Sequence, residues 1–160
     1  KKKQQKKTKK IAIAALKYAD LIPYRETDYV FSPEKFTSLD GKTGPFLLYS
    51  TIRMKSLLEK ASIKKYALKK FKNEIDRAPA LLLLDFPQIL TNCLEEKSLN
   101  ELTDYIYKLT SSYNTFYNEN KIIAETDEDL KESWIALTHL VYKTNMEILN
   151  ILGINVPEKM

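Results

Sequence analysis

Apolar residues along this 160-residue chain recur at steps of three and four, the period of helices buried on one side. Ile11, Ala15 and Tyr18 mark a first helix, which the lysine-rich stretch Lys1 to Lys10 most simply extends. Pro23 and Pro33 bound an irregular section with an extended run at Asp28 to Phe31. A long helix follows from about Thr43 to Ala61. Gly44 and Pro45 open it, because proline is favoured in a first turn where its missing N–H costs nothing. At about 100° per residue, Leu47, Met54 and Leu58 then share one stripe. A basic helix from about Ile63 to Asn73 would bury Tyr66, Leu68 and Phe71. Pro79 opens the next helical run, and Pro87 breaks or kinks it near Asp85. Ser98 with Glu101 reads as a capping box for a helix carrying Leu102, Ile106, Leu109, Tyr113 and Phe116 on one stripe. Thr126 caps the last long helix, whose inward positions are Leu130, Trp134, Leu137, Val141, Ile148 and Leu152. Gly153 ends it, and Pro157 prevents its resumption.

None of these apolar faces can be buried singly, so the helices must pack on one another. The expected fold is all-α, a bundle of about five to six helices. Residues 1–10 form a basic N-terminal segment, the start of the first helix, and residues 11–160 form one domain. No internal repeat or low-complexity linker interrupts it, and glycine occurs only at positions 41, 44 and 153.

Composition narrows the class. With 44% hydrophobic and 29% charged residues, the chain has the mix of an ordinary globular domain. No apolar run approaches the ~18 residues that span a bilayer, and the basic start lacks the apolar stretch of a secretory signal. The lone cysteine, Cys93, has no internal partner and keeps step with Leu82, Phe86 and Ile89, as a buried, inert thiol would. A cytoplasmic protein without a membrane partner is expected.

The net charge of +5 misleads as an average. Seven of the first ten residues are lysine, and without them 19 basic residues stand against 21 acidic ones. One local cluster remains: Arg53, Lys55, Lys60, Lys64, Lys65, Lys69, Lys70 and Lys72, against Glu59 alone. It would follow an RNA backbone by neutralising phosphates, or be the solvated face of a helix.

Candidate chemistry lies beside that cluster. Phe46, Tyr49 and Arg53 fall together on a second side of the long helix. Two rings and a guanidinium side by side can stack on unpaired bases and hold a phosphate, as in proteins that read single-stranded RNA loops. The same rings also suit a wide core face with Arg53 solvated. Catalytic groupings are missing. The single histidine, His139, lies mid-helix as a satisfied core or surface residue. Gly41 to Thr43 ends like a phosphate-binding loop, but Phe36 stands where that motif needs its first glycine. No spacing suggests zinc or a hydrolytic triad. Asp127 and Asp129 read as helix N-terminal charges. No enzyme active site is expected in this chain.

Longer motifs add a resemblance. Ala14 to Leu21 (AALKYADL), Thr27 to Phe31 (TDYVF), Asp40 to Arg53 (DGKTGPFLLYSTIR), Ser98 to Ile122 and the run Ile151 to Met160 (ILGINVPEKM) resemble, in this order, the all-helical anticodon-binding (DALR) domain of class I arginyl-tRNA synthetases. The resemblance implies a tRNA-binding piece of a ligase that joins arginine to its tRNA with ATP. Its partners would be arginine tRNA and the catalytic domain of the same enzyme, working as a monomer. This chain would hold no cofactor, ATP and magnesium belonging to the catalytic domain. By the same resemblance the anticodon-binding residues are Phe46, Tyr49, Arg53, Tyr117, Lys121 and Met160. Phe46 stands where the family usually has Tyr, which keeps a ring and loses a hydroxyl. Lys121 stands where some members place a second ring. Met160 matches a terminal Met that lies against the anticodon. Rival readings are a helical protein-interaction module, the related tRNA-binding domain of the glycyl-tRNA synthetase β subunit, and nonspecific binding of nucleic acid or acidic lipid by Lys1 to Lys10.

Overall fold

The computed structural model describes residues 2–30, 32–61 and 67–160. Among them, six helices of eleven residues or more build a bundle: α1 (Lys2–Leu21), α3 (Gly44–Ala61), α4 (Glu74–Leu84), α5 (Phe86–Glu96), α6 (Asn100–Glu119) and α7 (Glu128–Ile151). The four-residue α2 (Pro33–Phe36) and a 3₁₀ turn (Ile122–Ala124) sit in the connections. No described residue lies in a strand, and no described helix is long and apolar enough to cross a membrane.

Two long helices organise the rest. α7 packs against α3, α4 and α6, and α6 also carries α4 and α5. The stripe Leu102, Ile106, Leu109, Tyr113 and Phe116 on α6 is wholly buried, and it meets Trp134, Leu137 and Val141 of α7 in one core. Each such side chain contributes about 1.5–3 kcal/mol by leaving water. Phe116 meets Trp134 edge-on at 5.9 Å, the arrangement aromatic quadrupoles favour. Buried hydroxyls find partners: Tyr18 donates to the Thr103 carbonyl at 2.8 Å and Tyr113 to Thr138 Oγ1 at 3.2 Å. Burial pushes both phenol pKa values up. α1 approaches α3 so closely that a Cβ on Gly44 would lie 2.3 Å from the Ala14 carbonyl oxygen.

Several boundaries depart from the sequence pattern, some through a closer capping residue and some through a distant partner. Pro79 does not open α4, which begins five residues earlier. Asn73 caps it by accepting from the Ile75 and Asp76 amides. Asp76, fully buried, accepts in turn from the amides of Lys72 (2.7 Å) and Asn73 (3.0 Å) and from Trp134 Nε1 (2.7 Å). Pro87 does break the run, and Asp85 forms the joint between α4 and α5.

The basic helix expected at 63–73 is absent over 67–73, while Tyr66 lies outside the described residues. Ser133 Oγ accepts the Lys69 and Lys70 amides at 2.8 and 3.0 Å, holding them on α7 and away from any helical ladder. Leu68 and Phe71 are consequently exposed rather than buried. Ser98 caps nothing: its hydroxyl turns to Asn100, and Glu101 accepts from Asn92 Nδ2 at 3.0 Å. At α7 the cap is Asp127 rather than Thr126, its carboxylate accepting from the Leu130 amide at 3.1 Å. The Asp28–Val30 run is irregular with Val30 fully in solvent, and Phe31 lies outside the described residues. Cys93 is buried, and burial raises its thiol pKa.

Candidate nucleic-acid interface

At one end of the bundle α3, the end of α6, the 3₁₀ turn and the final residues enclose an open cleft of about 320 Å³. α3 supplies most of its wall. Because Leu47 and Met54 hold one side of this helix in the core, the side carrying Tyr49, Arg53, Ser56 and Lys60 turns to the cleft. Tyr117 enters from α6, Ile123 from the 3₁₀ turn and Met160 from the last segment.

Arg53 is the centre of this arrangement. Its guanidinium lies 4.3 Å from the Tyr117 ring centroid and 5.8 Å from that of Tyr49, within the reach of cation–π attraction. One Nη donates to Asn114 Oδ1, and Asn114 Nδ2 donates to Ser50 Oγ at 2.9 Å. The buried Nε has no partner. Among the described residues no carboxylate pairs with Arg53, whereas Lys42, Lys55, Lys69, Lys70, Arg77 and Lys131 each have one. A cation held by two rings and a neutral amide keeps its charge for an incoming anion. Tyr49, 46% exposed, offers a ring face on which a base can stack.

The structure therefore brings Tyr49, Arg53, Tyr117 and Met160 to one cleft. Phe46 is not among its lining residues; its ring packs on Tyr107 at a centroid distance of 5.6 Å and leans on the core. Lys121 is exposed beside the 3₁₀ turn, also outside the lining. Sequence reasoning missed Ser56, Asn114 and Ile123, and named Lys60 only as one of the wider basic cluster. Ser56 and Lys60 follow Arg53 by three and seven residues, and Asn114 precedes Tyr117 by three, so helical periodicity was a usable signal for these. Ile123 carried none. A second cleft of about 400 Å³ lies beyond Met160, lined by Ile52, Lys55, Ser56, Glu59, Glu158 and Lys159.

The wider basic cluster does not form one stripe in the described residues. Lys69 pairs with Asp129 at 2.6 Å and Glu132 at 2.7 Å, and Lys70 pairs with Asp127. Those pairs raise the Lys69 pKa and lower that of Asp127. Lys64 and Lys65 lie outside the described residues. His139 sits on α7, away from the cleft, with a pKa lowered by burial and by Lys143.

An all-helical bundle with an aromatic and cationic cleft at one end defines a class suited to unpaired nucleotides. A family model described as DALR anticodon binding domain matches residues 47–160, and the chain belongs to that family. It is 38% identical to the arginine–tRNA ligase of Alkaliphilus oremlandii over 96% of its own length, and 38% identical to that of Hyphomonas neptunium over 95%. Its fold superposes on Thermus thermophilus arginyl-tRNA synthetase with a TM-score of 0.86 at 27% identity, covering 94% of this chain and 26% of that one. The Plasmodium falciparum enzyme gives 0.81 at 25% identity, covering 94% and 27%. The chain spans about a quarter of the length of the curated relatives it matches, 27% and 26% for the two ligases above.

Proposed function

We propose that this chain is the anticodon-recognition domain of an arginine–tRNA ligase. The bundle splays out the anticodon bases of an arginine tRNA, stacks them on Tyr49 and Tyr117, and holds a phosphate with Arg53. Met160 packs its thioether against a base face. The central anticodon cytosine is read by polar groups at its pairing edge. Ligation itself, with ATP and magnesium, is the work of the ligase's catalytic domain, the second partner of this chain. The ligase acts as a cytoplasmic monomer.

The observation that carries this reading is the convergence of Tyr49, Arg53, Tyr117 and Met160 on one open cleft from separate parts of the chain. A protein-interaction module gives no reason for Arg53 to stand between two phenols with no carboxylate partner among the described residues. The similarity to arginine ligases favours this family over the glycyl-tRNA synthetase β subunit.

Binding to arginine tRNA, and to the same tRNA with its central anticodon cytosine changed, tests the proposal. Loss of one stacking ring typically costs about 1–3 kcal/mol per base, so Tyr49→Ala should weaken binding about tenfold and blunt discrimination between the two tRNAs. Tyr49→Ala and Arg53→Ala variants that keep the wild-type circular dichroism and bind both tRNAs as wild type does would overturn it.

A further inference from the structure

Met160 reaches the cleft along residues 153–160, which have no helix of their own. The segment leaves α7 through Gly153, at φ +65°, with the Ile154 amide donating back to the Leu149 carbonyl at 2.7 Å. Ile154 and Pro157 are buried. The carbonyls on this stretch are then taken by α1: Lys17 Nζ donates to Gly153 O at 2.6 Å and Lys10 Nζ to Val156 O at 3.1 Å.

The spacings match. Lys10 and Lys17 are two helical turns apart on one face of α1, about 10 Å at 1.5 Å per residue. Three residues of extended chain, as from Gly153 to Val156, span about the same. The glycine suits its positive φ, and it leaves room for Lys17 Nζ, which a Cβ there would meet at 2.6 Å and push aside.

We propose that Lys10 and Lys17 are positioning residues: a clasp from the first helix that sets how deeply Met160 stands in the cleft. The inference rests on reading the cleft as a nucleotide site. α1 thereby shapes base recognition without touching the base. Hydrogen bonds from an ammonium to a carbonyl exceed neutral ones in strength, and two of them along one segment fix its direction as well as its position.

The test combines a structural readout with a binding one. The chain has three methionines, so methyl-labelled protein gives a separate NMR signal for Met160, which shares its cleft with the Tyr49 and Tyr117 rings and is expected to be shifted by them. In the Lys10→Leu/Lys17→Leu variant this signal should move towards that of a free methionine, while the other two stay. A Lys7→Leu/Lys9→Leu control removes equal charge from the same helix and should leave it in place. Binding of arginine tRNA should fall by about as much as on deleting Met160, roughly tenfold, and the combined variant should be no worse than either. An unmoved Met160 signal in the double variant overturns the clasp. Should that variant not fold, Lys10→Leu alone decides by the same readouts. A signal that moves while deletion of Met160 leaves tRNA binding unchanged overturns the nucleotide reading of the cleft instead, and the clasp stands.

Discussion

The guanidinium of Arg53 lies 4.3 Å from the centre of the Tyr117 ring, joining the middle of α3 to the end of α6. The pair makes Tyr117 more than a stacking platform, since its ring also fixes the cation beside it. Tyr117→Ala should therefore lower affinity for arginine tRNA about tenfold, the roughly 1–3 kcal/mol of a lost stacking ring. Tyr117→Phe keeps both the ring and the cation contact and should stay within about twofold of wild type. Fluorescence anisotropy with labelled tRNA separates the two.

Asp76 serves three donors at once: the Trp134 indole and the amides of Lys72 and Asn73. Asp76→Ala strands the Trp134 indole N–H in a buried place, where an unsatisfied group costs about 1–3 kcal/mol, and frees two part-buried amides at the start of α4. Urea unfolding should show a loss of at least about 2 kcal/mol, accompanied by a change in Trp134 fluorescence. Asp76→Asn, which keeps one acceptor oxygen, should lose less.

Gly44→Ala tests how closely α1 lies on α3. Alanine in a helix is intrinsically favoured over glycine by about 1 kcal/mol, but here its Cβ meets the Ala14 backbone at 2.3 Å. Overpacking of that kind costs about 1–3 kcal/mol, so the midpoint of thermal unfolding should fall. At Gly41 nothing lies within 4 Å of an added Cβ, yet its φ of +82° makes Gly41→Ala a backbone penalty of about 1 kcal/mol.

Acid should loosen the start of α7. The Asp127 pKa is lowered first by its bond from Lys70 and then by the Leu130 amide, and that of Glu125 by the amides of Asp127 and Thr126. Folded values below the unfolded ones mean that this stabilisation is complete above the ordinary carboxylate range, about pH 4. It is lost as pH falls through the lowered folded values. Thermal melts from about pH 6 to about pH 2 should show a decline that Asp127→Asn and Glu125→Gln make shallower.

Local periodicity made the helices and half of the cleft legible. Leu47 and Met54 fixed the inward side of α3, and the outward angle of Tyr49 and Arg53 followed from the same 3.6-residue arithmetic. Elsewhere a partner far along the chain decided. Whether residues 67–73 coil up depends on Ser133, which leaves no trace in neighbouring residues; the start of α4, by contrast, carries a local signal in the reciprocal Asn73–Asp76 cap. Ser98 and Glu101 had the spacing of a capping box, but Asn92 engaged the glutamate first. Phe46 shows the limit of angular reasoning in the site itself: three residues from Tyr49 on the same helix, it found Tyr107 and not the cleft.

The burial of Cys93 has a practical consequence. Thiols react as thiolates that reagents can reach, and this one is both shielded and shifted towards its protonated form. The natural sequence is thus a silent background for maleimide chemistry. A cysteine introduced at the exposed Ser56, on the cleft wall, would take a fluorophore alone and report occupancy in real time.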